Sequence, residues 1–139
     1  MENAAVAIGT DAIEFSGKGI YRELFNLNTT RAVLAHPDKR QRVVEFVAEV
    51  IKASRDISAK PALAWPLVEA AGGYSRPVIS RAWPHHSFPA VLVQDLLDVL
   101  VEEEVFIAKL EKRPPRARDE LARLIDPTVL RDALALANR

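Results

Sequence analysis

The chain has 139 residues, 49% of them hydrophobic and 27% charged, and its 19 Lys+Arg balance its 19 Asp+Glu to a formal net charge of zero. That is enough for one soluble globular domain. It excludes a wholly basic nucleic-acid coat and an acidic disordered tail. With no Cys, disulfides, thiolate chemistry and cysteine-ligated zinc are excluded as well.

No apolar run reaches the ~20 residues of a membrane span. The opening MENAAVAIGTDAIEF has neither the charged n-region nor the long apolar core of a signal peptide. A cytoplasmic protein is expected.

Residues 1–37 hold three of the five Gly and little helical periodicity. They read as an N-terminal arm, packed on the core or on a partner subunit. Ala12, Ile13 and Phe15 suggest a short strand, Ser16-Gly17-Lys18-Gly19 a turn, and Ile20 to Leu27 one or two helical turns broken by Asn28, Thr29 and Thr30.

The clearest helix covers 38–55. Asp38 is its expected N-cap, and Val43, Phe46, Val47, Val50 and Ile51 form the inward stripe, with Val44 at its edge. A second helix over 61–71 starts on Pro61, points Leu63, Leu67, Val68 and Ala71 inward, and stops at Gly72-Gly73.

A brief helix over 75–82 follows, N-capped by Ser75 and burying Val78 and Ile79. Trp83-Pro84 ends it, since a residue before proline is driven out of the α region. A longer helix is expected from Ser87-Phe88-Pro89 to about Glu103, burying Val91, Leu92, Leu96, Leu97, Val99 and Leu100. Residues 105–110 either continue that helix or break into a strand, which their β-branched and aromatic content favours. Pro114-Pro115 then forces an extended turn. Helices over 118–125, with Leu121, Leu124 and Ile125 inward, and over 129–137 close the chain.

Residues 67–88 read LVEAAGGYSRPVISRAWPHHSF. This stretch resembles the helix-turn-helix of TetR-type repressors: Ala70-Ala71-Gly72 matches the turn, Ser75-Arg76-Pro77-Val78-Ile79 the start of the recognition helix, and Trp83-Pro84 its aromatic-Pro exit. The likeness covers residues about 39–103. The turn has one residue more than the family's, Val68 stands where a small residue is usual, and His86 stands in place of a Lys. Only about 50 residues follow Phe88, so the family's ligand-binding domain is not expected in full.

The resemblance implies sequence-specific double-stranded DNA binding by a dimeric transcriptional regulator. Physically, a tight helix crossing wants Gly in the turn, and the second helix then presents its polar side chains to base edges in the major groove. On this reading Arg76, Ser80 and Arg81 read bases, while Tyr74, Ser75, His85 and His86 position phosphates.

Leu96 to Phe106 also resembles the end of a winged-helix core, with a β wing over 105–118. That segment carries Lys109, Lys112, Arg113, Arg116 and Arg118 against Glu111 alone, and Lys112, Arg113 and Arg116 are expected at backbone phosphates.

The expected fold is mainly α: residues 38–139 form one domain, a three-helix core with a helix-turn-helix and extra C-terminal helices, with the short β wing left open. No nucleophile–base set supports an enzyme, Ser16-Gly17-Lys18-Gly19 lacks the phosphate-loop pattern, and adjacent His85-His86 lack further metal ligands, so no cofactor or metal is expected. The alternative is a helical adaptor for a protein partner, with Val91, Leu96, Val99 and Phe106 as groove or dimer seam. Ion-pairing of Arg76 and Arg81 within the chain favours that alternative.

Overall fold

The computed structural model describes residues 6–13 and 24–139. All regular structure among them is helical, and none of these helices is long and apolar enough to cross a membrane. The described residues form two compact units: one of residues 6–13, 24–34 and 53–88, the other of residues 35–52 and 89–139.

In the first segment, a 3-10 turn spans Gly9–Asp11. Ala12 and Ile13 are not in a strand, and residues 24–27 are not helical. The rest of the strand, turn and helix expected over 12–27 lies outside the described residues. A helix the sequence reading passed over, α1 (Arg31–Ala35), begins after Thr30. The Thr30 Oγ1 accepts from the Val33 amide at 3.2 Å, so the residue read as a breaker acts as the cap.

Helix α2 spans Pro37–Ala59. Pro37 occupies its first turn and the His36 carbonyl accepts from the Arg40 amide at 2.9 Å. Asp38 is therefore not the N-cap but a first-turn acid that complements the helix dipole. The buried apolar positions are Val44, Ala48 and Ile51, whereas Phe46 is 59% exposed. The inward stripe is rotated from the expected one, and fully covered Ala48 sits at its middle.

Helices α3 (Pro61–Gly72) and α4 (Arg76–Ala82) belong to the first unit. Ala64 is buried and Val68 half-buried on α3, while Leu63 and Leu67, expected inward, are 70% and 72% exposed. The packed side of α3 is the one that carries Trp65, whose ring meets Trp83 edge-on at 6.1 Å. The larger aromatic face decides which side turns in.

The long helix expected from Ser87 starts later. Residues 86–95 are irregular, and α5 spans Leu96–Leu110. Ala90 has φ 44°, a left-handed conformation that no helix accommodates. The Ser54 hydroxyl donates to the Phe88 carbonyl, fixing the chain just before the break. Val91 and Leu92 are consequently exposed, while Leu96 is buried.

Helix α5 continues through 105–110, which settles the open choice of strand or helix. Residues 111–117 form an irregular connection, and no β wing occurs among the described residues.

Helices α6 (Arg118–Ala122) and α7 (Pro127–Ala137) follow. Leu121 is buried, but α6 stops short of Leu124, which is exposed rather than inward. Asp126 caps α7 by accepting from the Thr128 amide at 2.8 Å. Arg40 ties α2 to α7, donating through Nη2 to the Asp132 carboxylate at 2.7 Å and to the Thr128 hydroxyl at 3.1 Å.

Candidate nucleic-acid interface

The turn between α3 and α4 is built by two glycines with different tasks. Gly73 takes φ 66°, ψ 20°, and its amide donates to the Glu69 carbonyl at 3.0 Å, a left-handed helix cap that L side chains resist. Gly72 has ordinary backbone angles, but a Cβ there would lie 2.6 Å from the Tyr74 ring. Ser75 is extended (φ −75°, ψ 156°) and its carbonyl accepts from the Ile79 amide at 3.1 Å. Its hydroxyl makes no capping bond.

Helix α4 then sorts its side chains cleanly. Val78 and Ile79 are buried; Arg76, Pro77, Ser80 and Arg81 are exposed on the opposite side. The structure thus gathers the three expected base-reading residues on one face. Tyr74 and Ser75 lead into that face, and His85 follows it, all exposed.

The exit differs from the expectation. Trp83 stays in the right-handed helical region (φ −52°, ψ −44°) despite preceding proline. The chain tightens into a 3-10 turn, Trp83–His85, and turns extended only at His86. Trp83 lies 5.3 Å from Phe88, and the His86 ring stacks on Phe88 at 6.4 Å and 11°. His86 Nδ1 sits 2.9 Å from the Ala82 carbonyl. The row Trp65–Trp83–Phe88–His86 braces the end of α4, so His86 shapes the exit.

Arg76 has a partner the sequence reading missed. Its Nε donates to Glu69 Oε1 at 2.9 Å and its Nη2 to Oε2 at 2.6 Å. Its guanidinium carbon stands 5.4 Å over the Trp65 ring. The paired fork holds the Glu69 carboxyl below its usual range and raises Arg76. The donor pair expected to meet guanine is occupied by a carboxylate of the preceding helix. Beneath it, Trp65 Nε1 is buried without a hydrogen-bond partner.

The basic segment 109–118 lies in the other unit, and its three arginines are paired with carboxylates of the chain while Lys109 and Lys112 are exposed. Glu104, 5% exposed, accepts from both Nη atoms of Arg113, from the Arg116 amide at 2.8 Å, and pairs with Arg116 Nη1 at 3.6 Å. Arg113 Nε also donates to Glu111 at 2.5 Å, and Arg118 donates to Asp98 at 2.6 Å. Arg113 and the Arg116 amide hold the Glu104 carboxyl down at about 2.

Arg113 and the Arg116 amide therefore fasten the end of α5 to the connection that follows, so two residues expected at phosphates are also engaged within the chain. Lys112, at φ 53°, occupies the left-handed position after α5, and the Arg113 amide closes the cap onto the Ala108 carbonyl at 3.0 Å. Among the described residues, no three His, Asp or Glu side chains are placed to hold a metal ion.

Comparison with family models, with curated proteins and with solved structures finds no match.

Proposed function

We propose that the chain is a sequence-specific double-stranded DNA-binding protein of TetR-like helix-turn-helix type, acting in the cytoplasm as a transcriptional regulator and as a pair of copies on a two-fold site. One observation carries the reading. A glycine in the left-handed region separates two short helices, and the second buries Val78 and Ile79 while exposing Arg76, Ser80 and Arg81 together. A short helix so aimed fits the major groove, where Ser and Arg meet base edges. Arg76, Ser80 and Arg81 are the base readers, and Tyr74, Ser75 and His85 flank the face toward the phosphates.

The test is selection of bound sequences from random duplexes over a salt series, with wild type, Ser80→Ala and Arg81→Ala. A consensus emerges with wild type. Each substitution costs about 1–3 kcal/mol of specific binding and relaxes one position of the site. Enrichment of nothing by wild type defeats the proposal.

A second reading is favoured by one specific feature. The Arg76–Glu69 fork and the exposed Leu63 and Leu67 on α3 suit a helical adaptor that docks a protein. Failure of DNA selection together with unchanged behaviour of Arg76→Ala supports that role.

A further inference from the structure

Helix α5 turns Glu104 and Ala108 inward, and its last two turns leave Val105, Phe106 and Leu110 56%, 64% and 66% exposed, with Ile107 beside them. Large apolar side chains so concentrated form a patch of a few hundred Å², on the order of the largest found on monomers and often functional.

The patch is bracketed by opposite charges. Glu102 lies one turn before Val105 and Lys109 one turn after it, both exposed. The side chains of both are without an ion pair among the described residues. Asp98, Arg113 and Arg118, by contrast, are already engaged within the chain.

This order, acid then apolar then base along one helix face, complements itself when reversed. Two copies of α5 crossing antiparallel about a two-fold axis midway between residues 105 and 106 place Val105 against Phe106 of the second copy. The same axis brings Glu102 level with Lys109 of the second copy, twice over by symmetry. A parallel pairing sets Glu102 against Glu102 and Lys109 against Lys109. We propose that this face of α5 is a homodimer seam whose occupant is the same face of a second copy, held by Phe106 at the centre and oriented by the Glu102–Lys109 pairs. The proposal rests on the paired-copy part of the function proposed above, not on DNA recognition itself. A patch of this size gives a weak dimer, in the micromolar range, below the burial of a standard stable interface.

The experiment is sedimentation equilibrium of the full chain from low to high micromolar concentration without DNA, so that its outcome is separate from that of sequence selection. Wild type is expected to dimerise, and Phe106→Glu to stay monomeric with an unchanged far-UV spectrum. Glu102→Lys alone and Lys109→Glu alone each weaken the dimer several-fold, and the two together in one chain restore it. The chain has no Cys, so Val105→Cys supplies a single thiol near the axis and oxidises to a linked dimer, whereas Glu102→Cys, separated along the seam from its symmetry mate, does not. A monomeric wild type, an undisturbed Phe106→Glu dimer, or a double charge reversal no better than the singles overturns the proposal.

Discussion

Arg76, in the first turn of α4, closes a two-bond fork on Glu69, in the last turn of α3, with Trp65 under the guanidinium. The pair bridges the turn between the two helices, and it occupies the donors of an arginine proposed above to read bases.

Glu69→Gln is expected to raise DNA affinity several-fold. It removes a negative charge beside the face and leaves Arg76 one neutral partner in place of a carboxylate. Retained stacking on Trp65 keeps the fold, so fluorescence-anisotropy titration should show tighter binding with an unchanged far-UV spectrum and a slightly lower melting temperature. Weaker binding would mean the fork itself is the binding-competent arrangement.

Gly73 tests the turn. Gly73→Val forces a β-branched residue to φ 66° and should cost more than about 1 kcal/mol in thermal or urea unfolding, with loss of DNA binding. Gly73→Asn should be milder, because Asn tolerates the left-handed region. Gly72→Ala meets only the Tyr74 ring, which is exposed and can swing away, so it should disturb the surface more than the stability.

Glu104 gives the fold an acid limit. Its folded-state value of about 2 lies below the ordinary 4.5, chiefly because Arg113 and the Arg116 amide donate to the ionised form. Stability from this carboxylate is fully present above about 4.5 and is lost as pH falls toward about 2. Glu69, Asp126 and Asp132 are lowered too and add to the same slope. Urea midpoints measured against pH should decline across that window, and Glu104→Gln should flatten the decline while lowering stability at neutral pH. An unchanged slope would remove the staple assigned to Glu104.

Lys112 stands where helices commonly place glycine. Lys112→Gly should therefore stabilise the protein by about 0.5–1 kcal/mol by relieving the left-handed strain. Denaturant unfolding reads this directly, and a loss of stability would show that the lysine stem is needed.

The stop of α3 was legible because Gly72-Gly73 announces a turn regardless of what packs around it, and the burial of Val78 and Ile79 followed from local spacing. The inward face of α2 was not legible. Phe46 carries a strong hydrophobic signal yet is exposed, and Ala48 carries a weak one yet is fully buried, because neighbouring elements choose the face. Glu69 was invisible as a partner of Arg76, since their meeting depends on how two helices cross. Likewise Arg113 and Arg116 look like a basic loop in one dimension, and only the return of the chain onto Glu104 pairs them. The late start of α5 depends on the φ of Ala90, which no alanine signals.

The chain's two tryptophans, Trp65 and Trp83, stand edge to face in the unit that carries the turn, and residues 35–52 and 89–139 contain none. Intrinsic fluorescence is thus a private reporter of the helix-turn-helix unit, while far-UV dichroism sums the helices of both. Denaturation followed by the two signals side by side measures whether the units melt as one: coincident curves mean a single cooperative transition, and separated curves resolve the stability of each without any label.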